Sequence, residues 1–386
     1  MPPAVYLAIK ETWRNRGRFL LFSLVIALIT LLILFIAALG EGLGAGNREY
    51  LENLSAELVV YQDTADLSIA SSRIGCDTRN ALRSVNGVKA VGAIGFSSVT
   101  VPEANRGEDL DASLIGVEPG KPGEPPVTAG QGLERRNANE AIIDRMVAEV
   151  TGLRVGDRFN IQSPQGGEEN IYLLKVVGVT ESQMYAIQPS IFVPIVKWDE
   201  VRPQARVSGG GADPACNVAA IRLEDPDQIE LMRQRLDAQV RDIEAVDRQT
   251  AYQNTPGYAA QQQTLSLQNG FALLIGLLVI GGFFQIQTLQ KVPQIGMLKA
   301  IGTPNSVIAI SSLIQIVIIN LLGVLIGGLV TYGLSLAFPP GIPLVFEGAA
   351  IARALGSILV IGPLGGLVSI RLSLRVEPLI ALGLGG

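Results

Sequence analysis

Histidine is absent from the 386 residues, which removes the commonest general base and a leading metal and haem ligand together. No Ser-His-Asp triad, Cys-His dyad, HExxH helix or His-ligated haem can be built from this chain. Two cysteines, Cys76 and Cys216, are too few for an all-cysteine zinc site or a disulfide scaffold. Placed in an oxidising exterior they could form one disulfide; two unrelated buried thiols are the alternative. The nearest imitation of a phosphate loop, GVEPGKPGE (Gly116–Glu124), has Pro122 where GxxxxGK[ST] needs Ser or Thr, so the chain should not hydrolyse ATP itself. GEGLGAG (Gly40–Gly46) follows a long apolar run rather than a Rossmann strand and reads as a flexible exit from a bilayer. No DxDxDG calcium loop occurs. We therefore expect no catalytic residue, no metal site and no cofactor in this chain.

What the composition does favour is lipid. Hydrophobic residues make up 48% and charged residues only 17%, with a mean hydropathy of +0.36. Net charge is −5, which excludes a disordered chain and gives no basic footprint for nucleic acid. Phe19–Leu39 carries no charge and is long enough as a helix to cross the ~30 Å hydrocarbon core. It is longer than a signal-peptide core, and Lys10, Arg14, Arg16 and Arg18 precede it, so a retained helix is expected. Further apolar runs occupy Leu265–Phe284, Ile308–Phe338 and Ala354–Ile370. The fold class expected is a membrane α-helical protein, four spans arranged one plus three, with a large mixed α/β domain between the first and second.

In these terms the chain divides as follows: an amphipathic segment (1–18), a first span (19–40), the outer domain (41–262), and a stalk with the second span (263–289). A short helix (290–303), the third span (304–338), an external loop (339–353), the fourth span (354–371) and a tail (372–386) follow. Between Glu41 and Gln262 there are 21 basic and 32 acidic side chains, a net of −11. Of the nine basic residues elsewhere, eight flank the spans on one side, and only Arg353 falls in the opposite loop. Positive-inside bias therefore puts both termini and residues 290–303 in the cytoplasm of a plasma-membrane protein and the acidic domain outside.

Within the outer domain, Ala56–Gln62, Val88–Val101 and Ala112–Val117 read as strands. Glu140–Gln162 reads as strand, helix, Gly152 stop, Gly156-Asp157 turn and strand, with a hairpin closing near Gly166-Gly167. IFVPIV and CNVAAIRL are further strands, and Ile229, Met232 and Leu236 share a helix face. In the spans, Gln285, Gln315 and Asn320 must face other helices or a wet path. Gly323 and Gly327 permit close helix packing and a dimer.

The loop KVPQIGMLKAIGTPNSVI carries the most information. It can form a short amphipathic helix that starts at Pro293, shows Ile295, Leu298 and Ile301 on one face, and stops at Gly302. Thr303-Pro304 would start the next helix. Such a helix suits docking into a groove of another protein, or resting among lipid headgroups.

Gln294-Ile295-Gly296-Met297-Leu298-Lys299-Ala300-Ile301-Gly302 resembles the E-I-G-x-L-[RK]-A-[LI]-G signature of FtsX/MacB-like ABC transporter permeases, with Gln294 in place of Glu and Pro293 before it. The tail Arg375-Val376-Glu377-Pro378-Leu379-Ile380-Ala381-Leu382 is similar to that family's basic-x-x-P-x-x-A-L ending, and Ala141–Asp157 is similar to its periplasmic core domain. Lys10–Gly44 (KETWRNRGRFLLFSLVIALITLLILFIAALGEGLG) resembles the start of the DevC and haem-exporter permease branch. The resemblance implies that Gln294, Ile295, Met297, Leu298, Lys299 and Ile301 couple to an ABC ATPase, two copies of which bind ATP and Mg outside this chain. It further implies a second permease copy or paralogue, mechanotransmission to the outer domain, and export of an amphipathic substrate, with a membrane-fusion or adaptor protein and lipids as further partners. Regulation of an external cell-wall hydrolase is the alternative. Haem would need Tyr, Met or Cys ligands here, so that cargo is not carried over.

Overall fold

In the computed structural model each of the four long apolar runs contributes a helix; the structure describes residues 3–105, 108–165, 168–202, 216–255, 258–337 and 344–375. In chain order, α1 (Pro3–Arg14) and α2 (Arg16–Glu52) precede β1 (Leu58–Gln62), α3 (Cys76–Ser84), β2 (Val88–Asn105), β3 (Glu108–Val117), β4 (Val127–Gly130), β5 (Glu140–Asp144) and α4 (Arg145–Thr151). After these come β6 (Arg158–Gln165), β7 (Glu168–Thr180), β8 (Ser190–Pro194), α5 (Ile195–Val201), β9 (Val218–Leu223), α6 (Ile229–Gln239), β10 (Ile243–Asp247) and α7 (Arg248–Gln253). The chain closes with α8 (Tyr258–Ala300), α9 (Asn305–Ser335) and α10 (Gly348–Arg375). Two units form: Met1–Gly42 with Gln262–Gly386, and Leu43–Gln261.

The first unit is a helical bundle. Arg16–Gly46, Tyr258–Ala300, Asn305–Ser335 and Gly348–Gly366 are long and apolar enough to cross a membrane. Small residues let their backbones approach. A methyl group on Gly323 would lie 2.5 Å from Ile26 Cβ, and one on Gly327 would lie 2.6 Å from the Ala27 carbonyl oxygen. Gly323 and Gly327 of α9 therefore pack against α2 of the same chain. Asn320 turns to α10, its Nδ2 donating to the carbonyls of Ile358 (3.1 Å) and Leu359 (3.3 Å). Gly362 leaves room for that amide.

Several boundaries differ from expectation. Gly40–Gly46 is helical, not a flexible exit; tertiary contact overrides glycine's low helix propensity there, because Ile187 N donates to the Gly46 carbonyl at 2.9 Å. The short helix expected at 290–303 is not separate, since α8 runs on through Pro293 to Ala300. Pro293 is exposed and forfeits one backbone bond, while buried neighbours such as Ile295 hold the register on its far side. The third span begins at Asn305 with Pro304 in the N-cap position, one residue later than expected, and the fourth begins at Gly348. The Gly166-Gly167 turn, the Pro339-Pro340-Gly341 loop and the tail signature from Val376 onward lie outside the described residues.

The second unit is one mixed sheet in the order β10-β1-β9-β2-β3-β8-β5-β7-β4, with β6 paired to β2 and β7. Pairing is antiparallel except for β3 with β8 and β5 with β7. Both faces are buried, which explains why the strands read as unbroken apolar runs. Leu58 and Val60 face one core with Trp198, Met232 and Leu236, whereas Val59 and Tyr61 face another with Tyr50, Leu54 and Ala251. Gly95 and Gly116 are cross-strand partners, and together they form the slot for the Trp198 ring. A methyl group at either would sit 2.4 Å from that side chain. Gly95→Val is expected to destabilise this unit by about 3 kcal/mol through overpacking, read as a lower urea midpoint of Trp198 fluorescence.

Candidate functional site

Residues 294–301 end α8 in a well-defined stop. Gly302 adopts φ +89°, Thr303 N donates to the Leu298 carbonyl at 3.0 Å, and Gly302 N donates to the Lys299 carbonyl at 3.0 Å. This double bond pattern around a left-handed glycine fixes the last turn and the direction of exit. The exposed face differs from the one expected. Ile295 is 6% exposed and packs inward, while Met297 (60%) and Ile301 (75%) point out, with exposed Gln294 on the same side. Positions 294, 297 and 301 fall three and four apart, a continuous stripe on one helix face. Leu298 and Lys299 are half-buried beside it.

Just before this stripe, three helices are tied together by polar side chains that the sequence did not single out as a group. Lys291 Nζ lies 2.5 Å from Glu11 Oε1 and donates to Gln315 Oε1 at 2.8 Å. Gln315 Nε2 closes the ring by donating to Glu11 Oε2 at 2.7 Å. Lys291 Nζ also sits 5.6 Å from the centre of the Phe19 ring, and Arg18 hydrogen-bonds Gln290. The ring joins α1, α8 and α9 at the foot of this exposed stripe. Of the polar span residues, Gln315 and Asn320 thus serve interhelical bonding, and Gln285 is exposed on α8. One signal was available: Glu11 is the only acidic residue before Glu41.

Within the soluble unit, the end of α2 is gripped by the segment after β7. Ser182 Oγ donates to Glu49 Oε2 at 2.7 Å, Met184 N donates to the same oxygen at 3.3 Å, and Tyr50 N donates to the Met184 carbonyl at 3.2 Å. The segment is anchored in turn by Asp144, which is fully buried, caps α4 by accepting from Met146 N (2.7 Å) and accepts from Gln183 N (2.7 Å). Burial raises the Asp144 carboxyl to about 6 from its ordinary 3.8, and the charge of Glu49 adds to this against backbone hydrogen bonds from Gln183, Met146 and Ser190. A raised carboxyl holds its proton in the folded state while the unfolded chain has lost it. Its contribution therefore falls as pH rises from about 4 to about 6, by about 3 kcal/mol, and then levels. Thermal unfolding followed by Trp198 fluorescence should show the wild type losing that much relative to Asp144→Asn across this window; parallel curves would count against it.

The two cysteines are both free thiols. Cys76 Sγ accepts from Arg79 at 3.3 Å, while Cys216 is buried, faces the Ile74 carbonyl at 3.6 Å and is pushed up to about 11 by burial. Among the described residues, no cluster of three or more Cys, Asp or Glu could hold a metal ion.

Four apolar helices in a one-plus-three order, with a mixed α/β domain between the first and second, define a polytopic membrane subunit with one large extramembrane domain. Residues 19–239 match the MacB-like periplasmic core domain and residues 269–378 match the FtsX-like permease C-terminal region. The chain belongs to the FtsX/MacB-like ABC transporter permeases, and that membership implies an ABC ATPase partner, dimeric assembly and an extracytoplasmic domain. It is similar to the hemin transport system permease protein HrtB of Staphylococcus haemolyticus, at 25% identity over 98% of this chain and 99% of the relative. The HrtB of Staphylococcus epidermidis is 23% identical over 98% and 99% of the two chains. Among solved structures, the extracellular domain of the ABC-type transporter YknZ from Gram-positive bacteria aligns with TM-score 0.34 at 16% identity, over 50% of this chain and all of that one. The periplasmic region of MacB from Actinobacillus actinomycetemcomitans aligns with TM-score 0.34 at 12% identity, over 53% and 95%.

Proposed function

We propose that this permease docks a separate ATPase through the Gln294–Met297–Ile301 stripe and converts ATP-driven movement into export of an amphipathic molecule. The observation that carries the reading is the stripe itself, two large apolar side chains held outward on the rigid end of a helix that continues for 43 residues. A stiff helix carries a displacement at one end to the other, which is what a mechanotransmission lever requires. The basic residues flanking the spans support a cytoplasmic position for the stripe and both termini. ATP and Mg are bound by the ATPase, two copies of which serve two permease chains. On α1, Ala4 and Ala8 are buried while Tyr6, Ile9 and Trp13 are exposed, a pattern suited to the lipid headgroup layer. The full-length relatives named for hemin transport make hemin the first cargo to try, with an adaptor protein as a further partner. The same relatives give no support to activation of a cell-wall hydrolase.

The test is co-expression with the ATPase encoded nearest to this chain, purification through the permease, and reconstitution in liposomes. A complex of two permeases and two ATPases with hemin-stimulated ATP hydrolysis is expected. Permease that purifies alone from cells containing the ATPase would refute the coupling.

A further inference from the structure

A half-open cavity of about 400 Å³ lies within the soluble unit, on the sheet face that carries Tyr50 and Tyr61. Small-molecule sites run from about 300 to 1,000 Å³. Phe96 and Ser98 of β2 form its floor with Ser113 of β3, the cross-strand partner of Ser98. One wall is the segment from Ser68 to Ala70, after β1, and the facing one is Tyr185 and Ala186, after β7. The Phe96 and Tyr185 ring centres lie 4.4 Å apart and give the cavity an aromatic side. Ser113 Oγ donates to the Tyr185 carbonyl at 3.0 Å, whereas the hydroxyls of Ser68 and Ser98 have no partner among the described residues. No Asp, Glu, Lys or Arg lines the space, and burial holds the Tyr185 hydroxyl above its ordinary value, so the lining is uncharged.

Both walls are held in costly backbone. Asp66 (φ +47°) and Leu67 (φ +54°) lead into one, and Ala186 (φ +52°) and Ile187 (φ +63°) form the other; among the described residues Asp242 is the only further non-glycine with positive φ. Tyr185 and Gln188 exchange both backbone hydrogen bonds, at 3.1 and 3.0 Å, which makes residues 186–187 the centre of a two-residue hairpin turn. With φ positive at both positions, such a turn favours Asn-Gly or Asp-Gly, and Ala followed by a β-branched Ile is a poor fit. Strain kept on two sides of one cavity is the mark of a ligand clamp, because turn stability alone would select other residues. We propose that this cavity binds a small uncharged ring compound carrying a hydroxyl, carbonyl or amide group. The aromatic side and Ala186 take the ring, and Ser68 and Ser98 hydrogen-bond the polar group. An ionised ligand would enter without a counter-charge and is disfavoured. The site does not depend on the ATPase reading.

The full-length chain in phosphatidylcholine nanodiscs can be titrated with aminomethylcoumarin, a fluorescent uncharged ring compound, and with aminomethylcoumarin acetate, which adds a carboxylate to the same ring. After subtraction of uptake by empty nanodiscs, the first should saturate at one site per chain. The second should bind about tenfold more weakly or worse. Ser98 is exposed, so Ser98→Trp should fill the mouth and abolish saturable binding without lowering the thermal midpoint. Ala186→Gly separates clamp from scaffold. It should raise the thermal midpoint by relieving the turn, yet weaken the uncharged probe by about threefold by loosening the wall. Absence of saturable binding, equal affinity for the two probes, or undiminished binding by folded Ser98→Trp overturns the proposal. Ala186→Gly that binds as the wild type does overturns the clamp.

Discussion

Aspartate at Met297 and Ile301 is expected to abolish co-purification of the ATPase and leave membrane insertion and the soluble unit intact. Both side chains are mostly exposed, so within the chain the exchange costs little. At a docked interface each would bury an apolar side chain, a gain of about 1.5–3 kcal/mol that is replaced by the larger cost of burying a carboxylate. Together the two changes should weaken association by roughly 1,000-fold or more. Met297→Leu preserves apolar volume and should bind as the wild type does. Ile295→Asp makes a useful contrast, because Ile295 is buried inside the bundle, so that variant should fail by losing folded permease. Pull-down yield and ATP hydrolysis rate check these outcomes together. Undiminished ATPase recovery with Met297→Asp/Ile301→Asp would move the docking surface elsewhere.

The contrast between Ile295 and Ile301 also marks how far the sequence could be read. The apolar period of the loop correctly foretold a helix and its Gly302 stop, because both follow from local backbone physics. Which apolar residues face out depends on what packs against the helix, and the periodicity is the same either way. Pro293 was misleading for a related reason: its local preference for a helix start is outweighed by packing on both sides. In the soluble unit, Leu58–Gln62 and Val218–Leu223 were legible because burial on both faces demands continuous apolar runs. Val127–Gly130 was not, being a short edge strand with mostly exposed residues. Gly323 and Gly327 announced close packing, but no motif says whether the helix they meet belongs to the same chain. The polar ring was the least legible feature. Glu11 and Gln315 are 304 positions apart, so their pairing exists only in the folded bundle.

That ring makes the second large prediction. Lys291→Met leaves Glu11 without its cation in a mostly buried setting and should destabilise the helical unit by about 3–5 kcal/mol, seen as reduced yield and a lower unfolding midpoint in detergent. Glu11→Leu combined with Lys291→Met removes both charges, and an apolar pair of similar volume should restore most of the lost stability. Stability and coupling can be separated here. The ion pair and the Gln315 hydrogen bonds hold α8 to α1 and α9 in one register immediately before the docking stripe. An apolar pair fills the space without directional bonds to fix that register. We therefore expect the double variant to fold, to bind the ATPase and to support ATP hydrolysis, while cargo export per ATP falls at least fivefold. Export at the wild-type ratio would mean that the ring only stabilises the bundle, and that α8 transmits movement without being clamped at its base.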